Sequence, residues 1–232
     1  MNWYIWIVAA LAYVIFAAWY FNWKGSLKPN EIEQYIMQVQ ENSGGSPTDP
    51  EVLRKFMESD DGKEFVMLNL IRFNAGDVAN PLTGEISTGP ELIQGYFGPF
   101  SKVLFRKGGH PVFLGRKKGG YIDSWNSAAD EGFQVVSAMR YRSRRDLMDL
   151  VSDPRFNDSH KFKLAAIDGT TSFPMQLRMS TYLRPKIWVP FLLLLAFALL
   201  LFVGRRCERA TIKVLGAVCF AAMLAILFAG DD

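Results

Sequence analysis

Four residues near the middle of this chain have side chains suited to chemistry on a small molecule: Asn69, Tyr96, His110 and Arg140. Asn69 interrupts the otherwise greasy run FVMLNLIRF, Phe65 to Phe73. An amide facing an enclosed lumen orients a substrate carbonyl, or dioxygen, beside the phenol, imidazole and guanidinium of the other three. The same amide bonded to neighbouring backbone is a buried structural group, and both readings stay open.

Other chemistries find less support. The two histidines are His110 and His160, and the two cysteines, Cys207 and Cys219, lie far along the chain from both. No His-x-x-x-His or His-x-x-Glu-His spacing occurs, so no metal site is expected. His160 reads as a helix-surface residue, with axial haem ligation as the rarer alternative. With no phosphate loop, nucleophile elbow or paired-carboxylate motif, no cofactor is expected either.

The elements that must position the four residues follow from periodicity. FVMLNLIRF has apolar residues on both sides of a strand, which predicts a strand covered on both faces. GPELIQGYFGPFSKVLFRKGG carries a helical apolar face of Ile93, Phe97, Phe100 and Leu104, with a break or kink at Gly98-Pro99. HPVFLG predicts a second strand, YIDSW a hairpin return, and FQVVSAMRY another strand. Ser143 to Asp146, SRRD, has capping-box spacing, and a further helix runs from Asp153-Pro154 through His160 toward Ala166. TTSFPMQLRMSTYL is a last extended segment, with Pro174 marking an edge or a bulge.

Upstream, Ile32, Tyr35, Ile36 and Val39 form one helical stripe that lies on lipid or on the domain. ENSGGSPTDP reads as a linker ending in a helix start at Asp49-Pro50. The basic clusters RYRSRR and GRKKGG read as solvated faces, with anionic headgroups or an acidic partner as the alternative.

The ends of the chain are strongly apolar. Trp3 to Phe21 carries no charge and has aromatic residues at both ends, which predicts a transmembrane anchor. Ile187 to Val203 and Val214 to Gly230 are near the lower limit for a span and predict a helical hairpin. Ala217, Ala221, Ala225 and Ala229 make a ridge for a neighbouring helix. The expected divisions are therefore an anchor over 1–23, a juxtamembrane helix and linker over 24–62, a domain over 63–183 and a hairpin over 184–232. Charge in the central segment is nearly balanced, which excludes a general nucleic-acid binder.

The order strand, helix, strand, strand, helix, strand is the split βαβ arrangement of ferredoxin-like folds. FVMLNLIRF, GYFGPF, KGGHPVFLGR, AMRYRSRRDLMDLVSDPRF and HKFKLAAI, taken in order, resemble an uncharacterised domain family of the dimeric α+β barrel superfamily. Arg142 and Phe156 stand where that family has proline and tyrosine. The resemblance implies an α+β fold in which two ferredoxin-like units pack sheet against sheet as a dimeric barrel, here fused to one N-terminal and two C-terminal transmembrane helices. It implies no catalytic set.

Two functions remain at this stage, and whether the chain is an enzyme stays open. One is an integral membrane protein serving as a non-catalytic accessory or scaffold subunit of a membrane complex. The other is a membrane-tethered, cofactor-independent monooxygenase or isomerase acting on a small apolar compound. Either way the expected partners are membrane lipids and a second copy, or other membrane subunits. The expected location is the bacterial inner membrane, with the domain cytoplasmic.

Overall fold

The computed structural model describes residues 11, 14–42, 49–126, 131–153, 156–178 and 195. The chain divides into two compact units, Met1–Leu177 and Arg178–Asp232, and of the second only Arg178 and Leu195 are among the described residues. The first unit contains, in order, α1 (Pro29–Asn42), α2 (Pro50–Glu58), β1 (Phe65–Phe73), β2 (Asp77–Ala79), β3 (Ile86–Thr88), α3 (Gly89–Arg106), β4 (His110–Arg116), β5 (Val135–Tyr141), α4 (Arg144–Val151), α5 (Asn157–Ala166) and β6 (Ile167–Met175).

Four strands form one antiparallel sheet in the order β4-β5-β1-β6, and β2 pairs with β3 as a separate small hairpin. FVMLNLIRF is β1, an interior strand of the sheet, but only Phe65 and Val66 are buried and Met67 to Phe73 are half-buried, so the expected cover on both faces is incomplete in the single chain. Pro174 falls on β6, an edge strand, where its missing N–H costs least.

Alternation along β1 sorts its side chains onto two faces. Phe65 and Met67 join the core made with Met139 and Tyr141 of β5, Phe100 and Leu104 of α3, and Leu147 and Leu150 of α4. Asn69, Ile71 and Phe73 share that helix-covered face, while Val66, Leu68 and Leu70 lie on the other. A second core joins Ile32 and Ile36 of α1 to Met57 of α2 and Met148 of α4, with Tyr35 and Val39 packed against it. The stripe of α1 therefore lies on the domain.

Local signals explain several helix ends. Asp49 caps α2 by accepting from the Glu51 N–H at 2.8 Å, and Pro50 follows at the first turn. Ser143 caps α4, accepting from the Asp146 N–H at 3.1 Å. Thr88 and Glu91 form a capping box at the start of α3. At the far end of α3, Gly108 has φ +74° and approaches the Trp19 carbonyl so closely that a Cβ would stand 2.5 Å from it.

The membrane architecture does not hold. Among the described residues, no helix is long and apolar enough to cross a membrane. Most of Trp3 to Phe21 lies outside the described residues, but residues 14–20 are helical and their end docks on the domain. The Trp19 indole N–H donates to the Phe105 carbonyl at 2.8 Å, and the two rings lie 4.9 Å apart. An amphipathic ring with a polar tip finds its partner on protein as readily as at a headgroup, so its sequence position does not separate the two. The segments Ile187 to Val203 and Val214 to Gly230, with the alanine ridge, lie outside the described residues apart from Leu195. The three spans, the inner-membrane location and both membrane-bound functions lose their support with this finding.

Smaller corrections concern the loops and the basic cluster. α3 runs from Gly89 to Arg106 with Pro99 inside it and does not break at Gly98-Pro99. YIDSW forms no strand, and β5 instead begins at Val135. The β2–β3 hairpin, closed by the Asn80 N–H to the Glu85 carbonyl at 2.7 Å, was not legible as strands. RYRSRR is not a solvated face, because Arg140 and Arg145 are 3% and 6% exposed.

That cluster is a set of ion pairs joining the N-terminal segment to the sheet and helices. Arg145 grips Glu31 of α1 with two bonds of 2.9 Å and donates to the Gly25 and Ser26 carbonyls. Arg142 grips Asp146 at 2.8 and 2.9 Å and donates to the Trp19 carbonyl at 3.0 Å. The Arg145 guanidinium holds the Glu31 carboxyl down at about 2. Paired in this way, each guanidinium offsets the cost of leaving water.

Candidate functional site: a polar layer between sheet and helices

The register of the sheet lines up Ser137 of β5, Asn69 of β1 and Ser172 of β6 across its helix-covered face. The Asn69 side chain donates to the Met67 carbonyl at 3.2 Å and accepts from the Ser172 hydroxyl at 2.7 Å. It thus ties β6 to β1. One row away, at Met67 and Met139, the same face is apolar. The interior therefore changes from greasy to polar within a few residues of β1.

On the helix side of the sheet, α3 packs against α5. Gly95 permits the approach, since a Cβ there would stand 2.7 Å from the Phe162 ring. That contact sets Tyr96 of α3 beside His160 and Lys163, one turn apart on α5. The Tyr96 and His160 rings lie 6.5 Å apart and edge-on. The Lys163 ammonium nitrogen is 5.6 Å from the centre of the Tyr96 ring. Tyr96 also stacks on Phe100, which anchors it to the apolar core.

Electrostatics sets this group apart. Burial pushes the Tyr96 phenol up and the Lys163 amine down. The His160 imidazole is lowered by burial and, secondly, by the charge of Lys163. The Tyr141 phenol is raised by burial and by Tyr96. Each shift favours the neutral form. Among the described residues, neither Lys163 nor His160 has a hydrogen bond or ion pair through its side chain. Both remain partly exposed.

Of the four residues singled out in the sequence, Asn69 lies in the row with Ser137 and Ser172, and Tyr96 lies on α3 beside His160 and Lys163. His110 and Arg140 are cross-strand partners on the opposite face. There the Arg140 guanidinium carbon lies 3.6 Å from the centre of the Tyr20 ring, and Tyr20 stacks on His110 at 6.0 Å. Arg140 also donates to Glu64 at 2.8 Å and to the Gly108 and Tyr20 carbonyls. Its donors are committed to the chain itself, and this end of the face is covered by residues of the N-terminal segment.

Sequence reasoning did not find Lys163 or Tyr20. His160 and Lys163 stand three apart in HKFK, a spacing that puts both on one helix face, but it reads equally as a solvated surface. Among the described residues, no group of three or more His, Cys, Asp or Glu is arranged to hold a metal ion.

No protein-family model matches this chain, and no curated protein sequence does. Two solved structures are similar to it. The crystal structure of methylated RPA0582 protein has 25% identity and a TM-score of 0.50, covering 59% of this chain and 96% of that one. A second is of RPA0582 from Rhodopseudomonas palustris, described as a protein of unknown function and a structural genomics target. It has 25% identity and a TM-score of 0.49, covering 58% of this chain and 97% of that one. The expected membership of an uncharacterised family fused to three transmembrane helices is therefore corrected to a likeness to these structures, without the fusion. The likeness brings no activity with it.

Proposed function

We propose that the domain is an acid–base catalyst acting on a small polar substrate at the rim of the polar layer, with Lys163, His160 and Tyr96 as its working groups. The observation that carries this reading is a partly buried lysine beside an aromatic ring with no carboxylate to balance it. A structural cation at such depth is ordinarily paired, as the arginines of this domain are. Burial lowers the Lys163 amine, the direction a general base requires. A phenol kept protonated donates a hydrogen bond where negative charge develops on a substrate oxygen. His160, held neutral, relays a proton through either ring nitrogen. Asn69, already bonded to strand and edge, holds the floor of the layer.

The reaction class this supports is proton removal from carbon next to a carbonyl. Hydrogen exchange at that carbon is a direct readout, whatever product forms afterwards. The full chain is incubated in heavy water with a panel of small keto acids and ketones, and proton NMR follows loss of the signals adjacent to the carbonyl. Accelerated exchange that vanishes in Lys163→Met and falls in Tyr96→Phe is the expected result. Exchange no faster than in buffer, or unaffected by Lys163→Met, removes the proposal.

A second reading concerns assembly. Phe173 is 43% exposed on the face away from the helices, where Leu68, Leu70, Phe113 and Val136 are also incompletely covered. This strip fits a second copy of the chain. Sedimentation equilibrium of the full chain tests it. A dimer that dissociates in Phe173→Glu supports self-association, and a dimer that persists in this variant, or a monomer at micromolar concentration, rejects it. A different protein at the same strip would appear as a hetero-complex.

A further inference from the structure

At the opposite end of the sheet from the arginine cluster, the ends of β1 and β4 and the start of β5 enclose a cleft of about 570 Å³. Two backbone bonds build its floor. The Gln134 N–H donates to the Ile71 carbonyl at 2.8 Å, and the Lys117 N–H donates to the Gln134 carbonyl at 2.8 Å. Phe73 and Phe133 supply aromatic surface. Gly76 and Gly132, with φ of +89° and +74°, let the chain turn along the rim without side chains in the way.

Two opposite charges line this cleft without being used. Among the described residues, neither Arg116 nor Asp77 has an ion pair or a side-chain hydrogen bond. They are not paired with each other. Arg72 nearby is occupied, by Asp168 at 2.6 Å and by the Glu131 carbonyl. The α3 N-terminus, which also borders the cleft, is satisfied by its own capping box. Among the described residues, the charged side chains of the cleft without a partner are therefore Arg116 and Asp77, while the Lys117 ammonium, which also lines it, lies 4.9 Å from the centre of the Tyr121 ring; the volume is within the usual range for small-molecule sites.

We infer that this cleft binds a small apolar zwitterion of the α-amino acid type. Arg116 takes its carboxylate, Asp77 its ammonium, and Phe73 and Phe133 its side chain. A guanidinium presents two parallel donors to a carboxylate, and an aspartate accepts from an ammonium, so a ligand with both groups satisfies both residues. The inference is independent of the acid–base reading, because it involves none of Lys163, His160 or Tyr96.

The test compares three probes of one skeleton by amide NMR titration of the full chain. L-Phenylalanine carries both charges, 3-phenylpropionate only the carboxylate, and 2-phenylethylamine only the ammonium. Shifts at Gly76, Gly119 and Gly132 with L-phenylalanine are expected, with each single-charge probe weaker by about tenfold, the loss of one charge-assisted bond. Arg116→Gln reduces binding of L-phenylalanine and of 3-phenylpropionate but not of 2-phenylethylamine, and Asp77→Asn does the reverse for the two single-charge probes. Both residues are exposed, so an unchanged urea midpoint shows that the variants remain folded. Absence of shifts with L-phenylalanine, equal binding of 3-phenylpropionate, or indifference to Arg116→Gln overturns the inference.

Discussion

The arginine cluster and the lysine layer are both partly buried and both cationic, yet their charges are handled in opposite ways. Arg142 and Arg145 each hold a carboxylate in a two-bond grip and donate to backbone carbonyls of the N-terminal segment. Among the described residues, Lys163 has an aromatic face and no carboxylate partner. A paired guanidinium stays charged and holds elements together, whereas an unpaired amine leaves water only by moving toward its neutral form. The first arrangement serves the fold. The second weakens it, and the acid–base role proposed above is a use for an amine so placed.

The largest effect that would test this contrast is in stability. Arg145→Met leaves Glu31 with only the Lys28 N–H and takes the donor from two carbonyls, and should cost about 3 to 5 kcal/mol. Lys163→Met removes a cation that nothing balances, and should leave stability within about 1 kcal/mol of the parent or raise it. Urea unfolding of both variants decides the matter, and equal losses would erase the distinction between the two regions.

Acid provides the next test. The folded Glu31 carboxyl titrates at about 2, below its ordinary 4.5. The unfolded chain therefore binds more protons between these values, and stability present above pH 4.5 is lost as pH falls toward 2. In Glu31→Gln this component of the acid slope should disappear. A slope that persists unchanged would place the acid sensitivity elsewhere.

The layer should respond to pH in a different window. The folded His160 imidazole is lowered from 6.5, so the unfolded chain again binds more protons just below that value. Protonation here opposes folding, and stability should rise as pH increases toward 6.5. Histidine NMR titration reads the imidazole directly, and a midpoint at or above the ordinary value would contradict the desolvated setting. The smallest effect concerns the floor of the layer. Asn69→Leu loses the bonds to Met67 and Ser172 and should cost about 1 kcal/mol, seen as a lower urea midpoint.

Particular residues show how far the sequence reaches. The strand Phe65–Phe73, the cap at Asp49 and the cap at Ser143 were legible because each depends on residues within a few positions. The β2–β3 hairpin was not, since its strands have three residues each and no alternating apolar pattern. Of the groups in the proposed site, Tyr96 was singled out in the sequence and Lys163 was not. Asn69 and Tyr96 stood out as polar groups in apolar segments, but Lys163 looked like any lysine on a helix. Its unusual setting comes from Tyr96, whose place beside α5 depends on Gly95 meeting Phe162.

The same limit explains the apolar N-terminus. Hydropathy treats residues 14–21 alike, whereas Val14 and Ile15 stay 61% and 70% exposed and only the end of the segment docks. Trp19 and Tyr20 find their partners at Phe105, Arg140 and Arg142, many positions away in the chain. By itself the sequence determined the α+β alternation, the doubly apolar strand and the positions of several caps, because local periodicity and side-chain chemistry dictate them. Tertiary structure alone decided which arginines are paired and which lysine is left without a counter-ion. Burial and charge pairing are properties of groups brought together in space, and no spacing along the chain encodes them.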